Sequence, residues 1–288
     1  MPVIVGGELL ELFGERYYGD GPPLRKVGNG RSWERWCDSA EEADAQRRAV
    51  VTKLKFHRKP GKRFRLTGLI GRLSRCYPDA PCESGACPVC ERALQRWFVE
   101  HGHRTGRAIA IEGGRPRILS IVPDFGRAPR GGLHQFDFAQ FRRRTAFALR
   151  QADVEWFQGA MDISFNHDMG DRQNGYFQFQ WWLLVSEAAK ATREVLRAQL
   201  NRSGEVKRPD YQFKPTWPQS ALGYGLKRTF DRRETFWDEG VGARGRAPCW
   251  NTRDRDLLGP EWVELNLCLN RIGLGSRVLI NAPTLSRP

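Results

Sequence analysis

The stretch Asn174 to Ala188, NGYFQFQWWLLVSEA, constrains the fold more than any other part of the chain. Phe177, Phe179, Trp181, Leu183 and Val185 alternate with Tyr176, Gln178, Gln180 and Trp182. A period of two is the signature of a strand, because successive side chains leave its opposite faces. One face is therefore apolar, and the other carries two carboxamides and two aromatics. Upstream, EWFQGAMDISFN alternates again, with Met161, Ile163 and Phe165 against Asp162, Ser164 and Asn166. The polar link HDMGDRQNG predicts a hairpin centred near Asp171, which sets Asp162 and Ser164 beside the glutamines.

Further segments surround this hairpin. RILSIVP, bounded by prolines, reads as a strand, and DFAQFRRRTAFALRQAD spaces Phe138, Phe141, Ala146 and Leu149 as a helix does. SEAAKATREVLRAQLNRSG predicts a helix from Ser186 to Gly204, and PDYQFKPTWP a further extended segment. Strand, helix, strand, strand, helix, strand is the order of the split βαβ or ferredoxin-like arrangement. The expected class is α+β, with an antiparallel sheet covered by both helices on one face and open on the other. Before this core, DSAEEADAQRRAVVTKLKF predicts a helix capped by Ser39 with Glu42 closing a capping box, and CERALQRWFVEHG predicts another. After it, DEGVGARGRAPCWNTRDRD reads as a connector, and GPEWVELNLCLNRIGLG as a helix with Pro260 at its first position. The expected division is a basic N-terminal region 1–75, a cysteine-rich segment 76–110, a core 111–236 and a C-terminal extension 237–288.

Charge narrows the partners. The 47 Lys and Arg against 33 Asp and Glu leave a net charge of +14, which favours polyanions. Lys53, Lys55, Arg58, Lys59, Lys62, Arg63 and Arg65 form one run and Arg142, Arg143 and Arg144 another, both suited to phosphates. Tyr176 and Trp182, on the open face, suit base stacking. Nucleic acid is thus the expected partner, DNA ahead of RNA. No segment has the apolar length of a membrane span, no leader pattern opens the chain, and no phosphate-binding P-loop occurs, so the expectation is a cytoplasmic protein, nucleoid-associated if the host is bacterial. Seven cysteines are an odd number for a disulfide scaffold, and four fall within CYPDAPCESGACPVC. Cys87 and Cys90 have the knuckle spacing of a tetrahedral zinc site, which Cys76 and Cys82 complete, with His101 and His103 as substitute ligands.

PQSALGYGLKRTFDRRETF follows the last core segment and predicts a helix, capped by Ser220, with Tyr224 and Lys227 one turn apart. A phenol beside an ammonium is a candidate nucleophile for a phosphodiester. In this order of parts the chain, from Cys76 to Phe230, resembles the HUH endonucleases, the rolling-circle replication initiators and relaxases. The family resemblance implies a ferredoxin-like core, a metal held by a His-hydrophobe-His motif on the central strand, and a DNA-nicking tyrosine on the following helix. Gln178-Phe179-Gln180 stands where the two histidines would be, Tyr224 at the nucleophile position and Lys227 as its companion. The CESGACPVCERALQRW stretch is similar to the cysteine-rich segment that precedes the core in plasmid replication proteins. Glutamine oxygens are weaker ligands than imidazoles, and Asp162, with His167 nearby, adds a single charge. The expected function is a DNA-binding protein of the replication-initiator type, a regulator or accessory factor on origin-like or hairpin DNA with nicking weakened or lost. An active metal-dependent nickase using Tyr224, and an RNA-binding or interaction module, are the alternatives.

Overall fold

A computed structural model of the chain describes residues 17–18, 39–57, 63–154, 156–168, 175–204, 206, 209–213, 222–227, 229–239 and 249–281. At its centre lies the hairpin of β3 (Phe157–Asp168) and β4 (Tyr176–Ser186). Their antiparallel register sets Asp162 opposite Gln180 and Ser164 opposite Gln178, as the alternation predicts. Close packing demands a glycine here: a Cβ on Gly159 would stand 2.0 Å from Leu183 Cδ2.

Each outer edge of this hairpin is shared by two strands. β1 (Pro116–Ile121) pairs with residues 181–186 of β4, and the short β2 (Arg127–Pro129) with residues 176–178. Across the hairpin, β8 (Val278–Asn281) pairs with the start of β3 and β6 (Asp231–Asp238), in parallel, with its end. β5 (Asp210–Phe213) flanks β1, and β7 (Cys249–Asp256) flanks β6. The result is one mixed eight-stranded sheet with the path β5-β1-β4-β3-β6-β7. The fold is α+β.

α4 (Phe138–Gln151), capped by the Asp137 carboxylate on the Gln140 amide at 2.8 Å, covers the apolar face. Its Phe141 ring lies 5.6 Å from Trp181 and 5.9 Å from Phe179. α5 (Lys190–Leu200) packs beside it, beginning after Ala189 rather than at Ser186. The opposite face is not open as expected. α3 (Pro88–Ile111) lies across part of it, with Gly106 and Leu184 in contact and Thr105 donating to Gln158 at 3.1 Å. Packed on α3 is α1 (Ala40–Phe56), which has the predicted Ser39–Glu42 capping box, and α2 (Arg63–Ser74) packs on α1. α6 (Gly259–Ile272) has Pro260 in its first turn and stops at Gly273, whose φ of 72° suits glycine.

Two regions differ from the sequence reading. Residues 249–256, expected in a connector, are β7 and pair along all of β6. The tyrosine helix is confined, among the described residues, to 222–224, with β6 beginning at Asp231, while Ser220 lies outside them. No helix among the described residues is long and apolar enough to cross a membrane. Phe141 ties α4 to two strand positions at once, so Phe141→Ala is expected to cost about 3–5 kcal/mol of stability, read from the urea midpoint.

Candidate functional site

On the face carrying Gln178 and Gln180, the chain brings Tyr224 and Lys227 over β3 and β4. Gly225 allows the approach: a Cβ there would meet Ala160 and Trp182 at 2.9 and 3.0 Å. The Tyr224 ring sits edge-on to Trp182 at 4.7 Å, and its hydroxyl accepts from Lys227 Nζ at 3.4 Å. Lys227 also donates to Asp231 Oδ2 at 2.7 Å and lies 3.7 Å from Asp162 Oδ2. That same oxygen accepts from Gln180 Nε2 at 2.6 Å. Hydrogen bonds and the Lys227–Asp162 ion pair therefore join Tyr224, Lys227, Asp162 and Gln180 into one group, together with Asp231, which the sequence reading passed over.

Burial sets the charges in this group. It raises the pKa of Asp162, with the Lys227 ammonium and the Gln180 amide pulling the other way. It also disfavours the Lys227 ammonium, but Asp162 and Asp231 outweigh it, so the Lys227 pKa is raised. A permanent cation thus occupies the space between two carboxylates and the phenol.

Gln178 has another task. Its Nε2 donates to Pro123 O at 3.0 Å, Phe179 O at 3.0 Å and Gly126 O at 3.3 Å, and its Oε1 accepts from Arg127 Nε at 3.1 Å. Turning the amide over would set its oxygen against those carbonyls, so the assignment follows from the network. Both glutamines thus present nitrogen, not oxygen, to their acceptors. His167, one residue before the end of β3, lies on the other side of the strand, against Arg232 and Glu234, away from the glutamines.

A row of rings leads to the tyrosine. Tyr211 stacks on Phe213 at 5.6 Å, Phe213 meets Trp182 edge-on at 5.9 Å, and Trp182 meets Tyr224. Tyr211 is 58% exposed and Tyr224 38%. Tyr211 and Phe213 were legible only as β-strand aromatics, because their alignment with Trp182 depends on β5 pairing with β1. Tyr176, half-buried at the other end of β4, lies under the Arg127 guanidinium at 4.9 Å.

The cysteines converge elsewhere. The Sγ atoms of Cys76, Cys82, Cys87 and Cys90 all lie within 4.8 Å of one another, the single cluster of this kind among the described residues. Separations of 3.5 Å for Cys76–Cys90, 3.8 Å for Cys82–Cys90 and 3.4 Å for Cys76–Cys87 compare with the edge of a tetrahedron built on bonds of about 2.3 Å, about 3.8 Å. Cys76 follows α2, Cys87 caps α3 and Cys90 lies in its first turn. Hydrogen bonding from Cys82 and Cys87 lowers the Cys76 pKa, while bonding to Cys76 raises Cys87 and Cys90. Four thiols so close share their protons unequally, and a dication held by four thiolates removes that conflict. These residues could bind a structural metal such as zinc. His101 is not a substitute ligand: it stacks on Trp97 at 5.2 Å and bonds Gln158 Oε1 at 2.8 Å. His103, two residues further along α3, is exposed.

The basic positions do not gather around the tyrosine. Lys53 and Lys55 are exposed on α1, with Lys53 Nζ 4.3 Å from the Trp262 ring centre. Arg143 and Arg144 are exposed on α4, on the far side of the sheet, and Arg144 lies over Phe125 at 3.8 Å. Arg142 is a correction to the phosphate-binding reading. It is half-buried and donates to Val278 O at 3.0 Å, fixing β8. Arg58, Lys59 and Lys62 lie outside the described residues, and Arg63 and Arg65 are described only as backbone in α2. Comparison with models of protein families, with curated proteins and with solved structures found no match.

Gln178 acts as a clamp on the loop before β2. Gln178→Ala removes its bonds to the carbonyls of Pro123 and Gly126, leaving Pro123 O only the Gly126 amide, and is expected to cost about 1–3 kcal/mol, measured by urea denaturation.

Proposed function

We propose that this chain is a DNA-binding protein of the replication-initiator type, in which the nicking chemistry of the HUH endonucleases is weakened or lost. The observation that carries the reading is the gathering of Tyr224 and Lys227 over Gln180 and Asp162 on a central hairpin, at the end of an aromatic row. Strand order supports it. β1 and β3, joined through α4, flank β4, which is the split βαβ connection of a ferredoxin-like core. Rings open to solvent can stack on bases, and the +14 net charge draws in the phosphates.

Weakened chemistry follows from the site's occupants. Gln180 spends its amide on Asp162, Gln178 spends its own on the Pro123 loop, and Lys227 fills the space a divalent ion would need. A scissile phosphate there lacks a Lewis acid, a loss of several kcal/mol that translates to about a thousandfold or more in rate. The cysteine cluster, in the same reading, holds one structural zinc.

The test is a covalent-adduct assay on single-stranded and hairpin DNA with Mn, comparing wild type, Tyr224→Phe and Gln178→His/Gln180→His. Wild type and Tyr224→Phe should bind DNA equally and form little adduct, and the double-His variant should gain divalent-metal affinity. An efficient Tyr224-dependent adduct in the wild type promotes the active-nickase reading. Tighter binding to RNA of the same sequence promotes the RNA-binding one. Affinity should fall steeply with salt, and replacing Lys55 by alanine should lower the log-log slope on duplex DNA by about 0.9, the value for one phosphate no longer neutralised. Elemental analysis should find about one zinc per chain, and its removal by a chelator should lower thermal stability.

A further inference from the structure

We infer that the metal-ligating cysteine cluster positions the Tyr224–Lys227 segment through Glu91 and Arg277. The inference rests on zinc occupying the cluster, but not on the DNA-binding reading. Cys90 and Glu91 are adjacent in the first turn of α3, and both are buried. The Glu91 carboxylate forms an ion pair with Arg277, whose side chain is wholly buried. From there Arg277 Nη2 donates to Met161 O at 3.1 Å and to Lys227 O at 3.4 Å, and its guanidinium lies 5.1 Å from the Phe230 ring centre. One guanidinium therefore joins the turn that carries Cys90 to the residue before Asp162 and to Lys227 itself.

Two further links run in the same direction. Gln95, one turn beyond Glu91 on α3, donates to Gly223 O at 2.8 Å, beside Tyr224. The segment that leads to Arg277 is tied to the loop after Cys82: Leu274 N donates to Glu83 O at 3.1 Å, and Ser84 Oγ to Asn270 Oδ1 at 2.9 Å. A metal bonded to Cys82 and Cys90 fixes both the loop that pins Leu274 and the turn that presents Glu91. Without it the crowded thiols are free to separate, and Glu91 moves with Cys90. A buried guanidinium is strongly destabilised when its carboxylate is withdrawn. Arg277 then releases the carbonyls of Lys227 and Met161, and the tyrosine segment loses its support from below.

Hydrogen exchange by mass spectrometry on the full chain tests this with no DNA present. Zinc-loaded wild type is compared with protein after chelation and with zinc-loaded Glu91→Gln. Chelation should speed exchange of residues 222–231 by about tenfold or more while β1 and β4 keep their protection. Glu91→Gln, with its zinc content unchanged, should give the same increase. Partial chelation of the wild type supplies a measurement independent of any variant: exchange at 222–231 should follow the fraction of metal removed. Wild-type protection of 222–231 in the chelated protein overturns the inference, as does Glu91→Gln that folds and exchanges like wild type. Loss of protection throughout the sheet on chelation also overturns it, since the cluster would then hold the whole fold. Failure to bind DNA would leave all these outcomes standing.

Discussion

Everything around the candidate site depends on the register of β3 against β4. Ten residue pairs fix it, from Phe157–Val185 to Asn166–Tyr176. A slip of one residue would send Phe179 and Trp181 to the polar face and the glutamines into the contact with α4, so burial holds the register firmly. That one alignment puts Asp162 opposite Gln180, gives Lys227 a carboxylate to approach and leaves Trp182 exposed enough to meet Tyr224 and Phe213. β1, β2, β6 and β8 then take the two free edges of a hairpin whose geometry is already settled.

The parts of this arrangement legible in the sequence are those with a strong period or a local chemical signature. Alternation gave away β3 and β4 together with their facing residues, Ser39 and Glu42 marked the start of α1, and the cysteine spacing marked the cluster. What stayed hidden had physical reasons. β6 and β7 read DRRETFWD and CWNTRDRD, with no apolar face to detect. They are held instead as a ribbon with opposite charges across the strands, Glu234 with Arg253 at 3.0 Å and Arg233 with Asp254 at 3.4 Å. Arg142 looks like its neighbours Arg143 and Arg144, and only the docking of β8 turns it inward. No local pattern reveals that α3 crosses the second face, because that is a property of chain path. Arg277 is the extreme case: an isolated basic residue in GLGSRVL gives no sign that it is wholly enclosed.

Enclosure also explains the charge balance at the tyrosine. Asp162 is almost wholly buried, and a carboxylate in that position needs either a proton or a cation. Lys227 supplies the cation, and Asp231 anchors the other side of the ammonium at 2.7 Å. With one ammonium between two carboxylates the group is not positive, even though the chain as a whole carries +14. In the proposed function, a phosphate approaching Tyr224 is therefore attracted mainly by distant charges and by stacking on the aromatic row, with little help from Lys227 while its two carboxylates hold it. On the same proposal, the partly exposed Asp231 gives way to a nucleic-acid phosphate far more readily than the buried Asp162. A phosphate that displaces it takes over one arm of the ammonium and stands next to the phenol. In the proposed function, Asp231 thus sets how easily the site opens to its ligand, and the buried Asp162 keeps Lys227 in place while it does.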